Sequence, residues 1–589
     1  NYTSISHGSH TIRFGGRFRR DSDQNNNPAG FNGAFSFFGG VEPVLDANNN
    51  IVFQNGVEQT AVLTSLQQYQ RNVALTSAGF NQSQIQNLGG GPSRFSIQAG
   101  EPYISMTRWD AGPFVQDDWR FRPNLTLSLG LRYEVQTLVS DYRDWAPRFG
   151  FAWAPGKSKN GRQKTVFRGG FGMFYDRIGL GPYESAALNN GFTQVEYTVF
   201  NPTFYPNLPP LSSLSAGQNT IFRVDPNLRA DYSMQWAIGV ERQLNSGTTV
   251  SATYTYNHAE HYLQTVPINA PTPGSFNPLL PLSPTNGSFP LGYNAGNVFE
   301  DESGGILRQH IVMLSLNTRI NNNVSIYANY QLTYANDLPS TPTDPYDFAL
   351  DYGRSNLDRR HNFQVFGSIV APKAIRLAPF ITIRSGAPYD VLLGEDLYGD
   401  TYTNARAAFA PSGACPSGFV GTVGDVVCSR AGDFTTTYNP ASPANLVPRN
   451  YLTMAPLVSL NVRVYRVFGF GGKGAGGASG PSGGNYGGGG GGGGRGGGGG
   501  MRMGPPSGGG RGGMMNAGAT EQRFNLMLGV TATNFINHFN PAGYQGVITS
   551  PQFLEPTTVN TGFGGGGVGG GGAGSANNRR IEFDMRFTF

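Results

Sequence analysis

Charge is scarce in this chain. Of its 589 residues only 13% are Asp, Glu, Lys or Arg, where a soluble domain usually carries about 25%. Long apolar runs are missing too: no stretch of about 18 consecutive apolar residues occurs, which excludes transmembrane helices. Cysteine is down to two residues, Cys415 and Cys428, and their spacing matches no zinc or CxxC motif. The net charge of +5 is small for this length and offers nothing to nucleic acid. GxSxG and P-loop patterns are absent and scattered Gly-x-Gly pairs reflect composition, so no enzyme and no cofactor are expected.

What is present points one way. The mean hydropathy is −0.30. Low charge with negative hydropathy fits neither a helical membrane protein nor a soluble enzyme. It fits a barrel whose apolar and polar residues alternate, so that the mean hides both. The clearest stretch is FVQDDWRFRPNLTLSLGLRYEVQ, residues 114–136. Leu125, Leu127, Leu129, Leu131, Tyr133 and Val135 fall on one parity; Thr126, Ser128, Gly130, Arg132 and Glu134 fall on the other. With a side-chain period of two, one face is apolar and the other polar. The strand is also longer than the ordinary 5–6 residues or so and reaches the roughly 9–11 needed to cross a bilayer.

The same alternation recurs and predicts about fourteen long strands, the first at 10–20 and the last at 579–589. The connections alternate short and long. Counted back from Phe589, the turns at Pro123, Gly247, Asn322 and Pro372 share one side, and the long loops lie on the other. This is the pattern of an outer-membrane barrel with short periplasmic turns and long external loops. Residues 21–102 are expected to be an external loop with an amphipathic helix on Val62, Leu66, Tyr69 and Val73. Residues 394–455 are a second external loop. There Cys415 and Cys428 meet oxidising conditions and are expected to form a disulfide rather than two free thiols, stabilising the loop by roughly 3 kcal/mol. Residues 469–522 form a Gly-rich insert at a periplasmic turn, read as a flexible coil without a binding role. Arg495, Arg502 and Arg511 within it are too few, and too poor in aromatic neighbours, for an RGG-type RNA reading.

Candidate functional residues follow from the polar parity. Arg13, Arg17, Arg132, Glu134, Arg168, Asp176, Arg463, Glu582, Asp584 and Arg586 are expected to face the lumen, where they contact a plug or solute or pair with one another. Trp119, Tyr133, Trp153, Trp236 and Tyr256, on the apolar parity, suit interfacial girdles. Phe587 and Phe589 end the last strand in the manner of the signal read by the barrel-assembly machinery. His258 and His261, in HAEH, are three apart on a strand and so point to opposite faces, which argues against a shared metal. Asp396, Asp400 and Asn404, in GEDLYGDTYTNAR, form a weak calcium candidate against the plainer reading of an Asx-rich turn.

Several segments together carry a family resemblance. FVQDDWRFRPNLTLSLGLRYE, WAPRFGFAWAP, FRGGFGMFYDR, VDPNLRADYSMQWAIGVERQL, DRRHNFQVFG, RSGAPYDV, TNFINHFNPAG and the terminal IEFDMRFTF occur in this order. They resemble the Oar-like branch of the TonB-dependent outer-membrane receptors. The resemblance covers about residues 9–589 and is specific only in combination. It implies a 22-stranded barrel with an N-terminal plug, coupled to the TonB complex; Oar-like members also often carry a small N-terminal β-sandwich, the carboxypeptidase regulatory-like domain. NYTSISHGSHTIRFGG shows no signal peptide, so residues 1–589 are expected to be the barrel portion of a longer protein whose plug lies upstream. The function implied is a transporter in the bacterial outer membrane, in contact with its lipid, moving a bulky solute of unknown identity. The alternative is an adhesion or scaffold barrel acting through its long loops.

Overall fold

The computed structural model describes residues 1–156, 163–214, 218–280, 282–437, 445–473, 522–559 and 578–589. Its framework is a single antiparallel meander of fifteen strands. They are β1 (Tyr2–His7), β2 (His10–Asn26), β3 (Tyr103–Arg122), β4 (Leu125–Tyr133) and β5 (Trp145–Trp153). Next come β6 (Thr165–Tyr175), β7 (Tyr232–Asn245), β8 (Thr248–Pro267), β9 (Asn297–Arg319) and β10 (Val324–Asp337). The last are β11 (His361–Ala371), β12 (Ile375–Arg384), β13 (Leu457–Lys473), β14 (Gln522–Thr533) and β15 (Arg580–Thr588). Each strand pairs with the next, and among the described residues β1 and β15 are left as two edges.

Because the meander is antiparallel, its connections fall alternately at two ends. The tight turns β1–β2, β3–β4, β7–β8, β9–β10 and β11–β12 share one end, and the long excursions share the other. The strands overrun what a bilayer requires. β8 has 20 residues and β9 has 23, against the roughly 9–11 of a tilted spanning strand. The surplus projects on the long-loop side. There the start of β9 pairs in parallel with the strand Gln218–Val224, extending a side sheet through Gln194–Phe200 and Arg94–Gly100.

The two faces differ as the alternation requires. Leu129 and Leu131 are 46% and 42% exposed; Ser128 and Gly130, on the other parity, are less so. Register carries the apolar face sideways: Leu129 lies opposite Phe149, then Phe171, Trp236, Tyr256, His310 and Tyr334 in turn, from β4 to β10. Burial is therefore inverted relative to a soluble protein. The buried apolar clusters sit beyond or at the long-loop ends of the strands. The largest joins Val391, Leu393, Ala405, Phe434, Val447 and Ile548, and others centre on Phe95 with Leu214 and on Val139 with Ile178 and Leu228.

Four sequence expectations need correction. The first strand is Tyr2–His7, ahead of 10–20; it is exposed on both faces and has too few apolar residues to show an alternating stripe. The 21–102 segment stays in the sheet to Asn26, because Asp21 through Asn26 pair along β3. The helix there, Ser65–Ser77, begins after Val62 and turns Leu66, Tyr69 and Val73 outward, burying Gln68, Asn72 and Leu75 instead. Hydrogen bonding decides that face: the Gln68 side-chain oxygen accepts from the Gly39 N–H at 2.9 Å and the Ser93 hydroxyl at 3.3 Å. Finally, the sheet continues past 469 to Lys473, with Phe470 stacked on Phe524 at 5.9 Å. The remainder of the Gly-rich insert, 474–521, lies outside the described residues.

Leu129 is the middle residue of β4. Leu129→Arg is expected to cost about 2–4 kcal/mol. Ser128→Arg should cost less than about 1 kcal/mol, because the new side chain enters a polar wall where Ser128 already donates to Asp118 at 2.6 Å. Denaturant unfolding in lipid vesicles measures both, and equal costs would reverse the assignment of faces.

Candidate functional site

The polar face carries many of its charges as ion pairs, both across strands and along them, densest where β2, β3 and β4 meet the chain after β6. Asp110 is the hub, 2% exposed. Its Oδ1 meets Arg17 Nη2 at 3.1 Å and Arg177 Nε at 2.9 Å, and its Oδ2 lies 3.4 Å from Arg19 Nε. Arg177 reaches onward to Glu134 at 2.8 Å, and Glu134 also pairs with Arg132. Gly112 makes room for that pair: a Cβ there would stand 2.7 Å from Glu134 Oε2 and 3.0 Å from Arg132 Nη2. Arg108, itself buried, pairs with Asp21 at 2.7 Å and donates to the Ile178 carbonyl. Arg13 pairs with Asp118 at 3.0 Å, and the Arg148 guanidinium lies 4.4 Å above the Phe174 ring.

Two things follow chemically. A carboxylate sealed at Asp110 is tolerable only because several guanidiniums surround it. The wall as a whole is wettable, and its guanidiniums outnumber the carboxylates they pair with, which suits contact with a hydrated solute or a polar protein surface. Just beyond β4, Asp144 is 3% exposed. Burial first, then the charges of Asp141 and Glu134, push its carboxyl up to about 7.

The residues singled out from the sequence fall as follows. Arg13, Arg17, Arg132 and Glu134 belong to this wall. Arg463 and Asp584 form a separate pair at 2.7 Å across β13–β15, with Glu582 bound to Arg580 at 2.6 Å and Arg586 on the same parity opposite Met527. Arg168 stands exposed on the polar parity of β6, and Asp176 lies just past the end of that strand, its N–H on the Asp231 carbonyl. On the apolar face Trp119 stacks with His10 at 5.3 Å, while Tyr133 meets Trp145 at 4.8 Å and Trp153 meets Phe167 at 5.7 Å with tilted rings. Trp236 stacks with Tyr256 at 5.4 Å, and Tyr256 with His310 at 4.7 Å. Phe587 stacks on Phe524 and Phe589 at 6.0 and 6.1 Å.

His258 binds Glu260 at 2.7 Å. His261 sits at an irregularity in β8, with φ +63°, against the Tyr232 ring. Cys415 and Cys428 are disulfide-bonded, with Cα atoms 5.8 Å apart. Asp396 and Asp400 lie together, whereas Asn404 donates to the Pro342 carbonyl at 3.1 Å. Sequence reasoning placed Arg19 on the polar side of its strand with Arg13 and Arg17, but missed Asp110, Arg108 and Arg177. Asp110 and Arg108 had a signal, since each shares the polar parity of its strand; Arg177, beyond the end of β6, had none.

Comparison with known proteins adds the following. A family model described as an outer membrane beta barrel domain matches residues 1–142 and 137–474. The TonB-dependent transporter Oar of Myxococcus xanthus is 24% identical over 186 residues, which cover 26% of this chain and 17% of that protein. The outer membrane transporter YddB from Escherichia coli superposes over 99% of this chain and 52% of its own, with TM-score 0.47 and 10% identity. The ferric enterobactin receptor PfeA from Pseudomonas aeruginosa does so over 98% of this chain and 50% of its own, with TM-score 0.42 and 11% identity. The chain thus spans about half the length of these two solved proteins.

Removing the hub carboxylate with Asp110→Asn leaves three guanidiniums without their shared partner. The expected loss is about 2–3 kcal/mol, less than for a wholly buried pair because Arg17 and Arg19 stay partly solvated; unfolding in vesicles measures it. Asp144 gives a pH dependence. Its folded pKa of about 7 lies above the ordinary 3.8, so the stability it lends is complete in acid and is lost as pH rises through 7. Fluorescence of the adjacent Trp145 should titrate with a midpoint near 7, and Asp144→Asn should flatten that curve.

Proposed function

The chain belongs to the outer-membrane beta-barrel family, and from that premise we propose that it forms the wall of a TonB-dependent-receptor-like transporter that moves a bulky solute across the outer membrane. Its place is the bacterial outer membrane, and its relative Oar is a transporter. The observation that carries the proposal is the division of faces. One face of the sheet is apolar and exposed, which suits lipid, and the other carries paired charges centred on Asp110. A purely adhesive barrel has no need of a wettable, charge-lined interior, whereas a solute or plug passing along it does.

Within this reading, Arg13, Arg17, Arg132, Glu134, Arg168, Asp176, Arg463, Glu582, Asp584 and Arg586 face the lumen, and the five girdle aromatics anchor the sheet at the membrane interfaces. The segments 27–102 and 394–455 face outside. The barrel-assembly machinery reads the terminal strand ending in Phe587 and Phe589. Coupling to TonB runs through a plug that occupies the charged interior.

The test uses the full-length protein in its own bacterium. Solutes taken from the medium are compared between wild type, a strain lacking the receptor and a strain with the TonB complex disabled. At least one bulky solute should remain in the medium in both mutants. Identical uptake in all three strains, with surface attachment lost in the first mutant only, would give the function to adhesion.

A further inference from the structure

The apolar side of the sheet is not smooth. Where β7 to β11 run side by side, register sets Ala252, Leu314, Tyr330 and Phe363 in one row. Arg242 and Ala328 belong to the next row toward the short turns. The two alanines are the short side chains here, and a groove of about 480 Å³ opens over them, a volume within the range of small-molecule sites. Leu314 and Phe363 on its walls stay 46% and 37% exposed. One end of the groove is charged. Arg242 lines it and is the one charge on the apolar parity of β7 from Met234 to Leu244. Its guanidinium has no ion pair among the described residues, and Glu241, beside it in sequence, falls on the opposite face. Thr248 and Thr318, nearer the turn on the same parity, bond each other at 2.9 Å, which leaves one hydroxyl proton to spare.

Arg242 stands three residues from the end of β7, about 10 Å of strand from the turn. At that depth a guanidinium reaches the headgroup layer while its stem lies along hydrocarbon. A cation against apolar surface, with no carboxylate to meet it, draws an anion that brings an apolar part of its own. We propose that the groove seats one acyl chain of an anionic phospholipid whose phosphate meets Arg242. The inference rests on the outer-membrane placement of the barrel and not on what the barrel transports. Charge complementarity names the occupant. A zwitterionic lipid would add an ammonium group, and no carboxylate on this stretch of the apolar face receives it. Direction fits as well. With strands tilted about 45°, a groove that crosses them is itself inclined to the membrane, so a chain anchored at Arg242 can follow it away from the headgroups. In the proposed orientation this lipid belongs to the periplasmic leaflet.

The full-length protein, delipidated in detergent, is mixed with phosphatidylglycerol or with phosphatidylethanolamine of the same chains, and bound lipid is counted by native mass spectrometry. Wild type should keep a phosphatidylglycerol at a collision energy that strips phosphatidylethanolamine. Arg242→Gln should lower that retention roughly fivefold, the ratio expected of one basic residue at an anionic lipid surface. Arg242→Lys should restore most of it. Ala328→Phe should lower it too, by filling the groove while the guanidinium stays. Both positions lie on the exposed apolar face, and circular dichroism of the sheet checks that each variant is folded. Equal retention of the two lipids by wild type, or retention unchanged in R242Q or in A328F, would overturn the proposal. So would displacement of the lipid by soluble glycerol phosphate, which would leave a bare phosphate site. Solute uptake plays no part in this readout, so the transport reading can fail while the lipid site stands.

Discussion

A strand that crosses hydrocarbon has nowhere to place an unpaired N–H or C=O except on the neighbouring strand. This is why the meander is long and regular through the middle of its strands, and why its irregularities fall toward strand ends: beside the β3–β4 and β7–β8 turns, at the end of β13, and where β8 and β9 run on toward the long loops. The same requirement leaves the side chains to divide between lipid and water. With an apolar exterior, the fold cannot be held by a hydrophobic interior between the strands. It is held by the ladder, and by what the polar faces exchange laterally.

That exchange explains the form of the Asp110 site. A lone carboxylate on the inner face would be costly once covered, and a lone arginine would lack the acceptors its five donors require. By taking partners from β2 and from the segment after β6, Asp110 turns three separate stretches of chain into one panel. The pairing is across strands rather than along them, so the charges stabilise register as well as each other. Aromatic stacking repeats the arrangement outside: Trp236, Tyr256 and His310 stack across β7, β8 and β9.

The alternation made the strands, their order and the sidedness of their turns legible from sequence, because period two is a property of each segment alone. Leu125 to Tyr133 needed no partner to be recognised. Tyr2–His7 escaped because an exposed edge strand is under no pressure to alternate. The helix at 65–77 was located, but its buried face was misjudged: Gln68 is held by Gly39 and Ser93, contacts no helical period encodes. The site was legible by half. Arg17, Arg132 and Glu134 announce themselves by parity, but that Asp110 gathers Arg17, Arg19 and Arg177 depends on sequence separations that only the folded sheet closes.

The charged groups also divide by how far solvent reaches them, and that division assigns their roles. On the inner wall Arg13, Arg17 and Arg19 keep 43%, 41% and 47% of their side-chain surface exposed, so their side of each pair is partly screened, even though the Asp110 carboxylate that Arg17 and Arg19 share is sealed. At the junction between wall and cap, Arg406 and Asp351 are 3% and 0% exposed. Arg406 also donates to the Val447 carbonyl at 2.9 Å, while Arg449 bonds the Asp337 carbonyl at the end of β10 at 2.7 Å. Charges so enclosed cannot be traded, because either partner left alone would be a buried ion. The protein therefore places partly solvated guanidiniums along the polar face and fully enclosed ion pairs where the loops rest on the strands, so solvent screens the first and burial fixes the second.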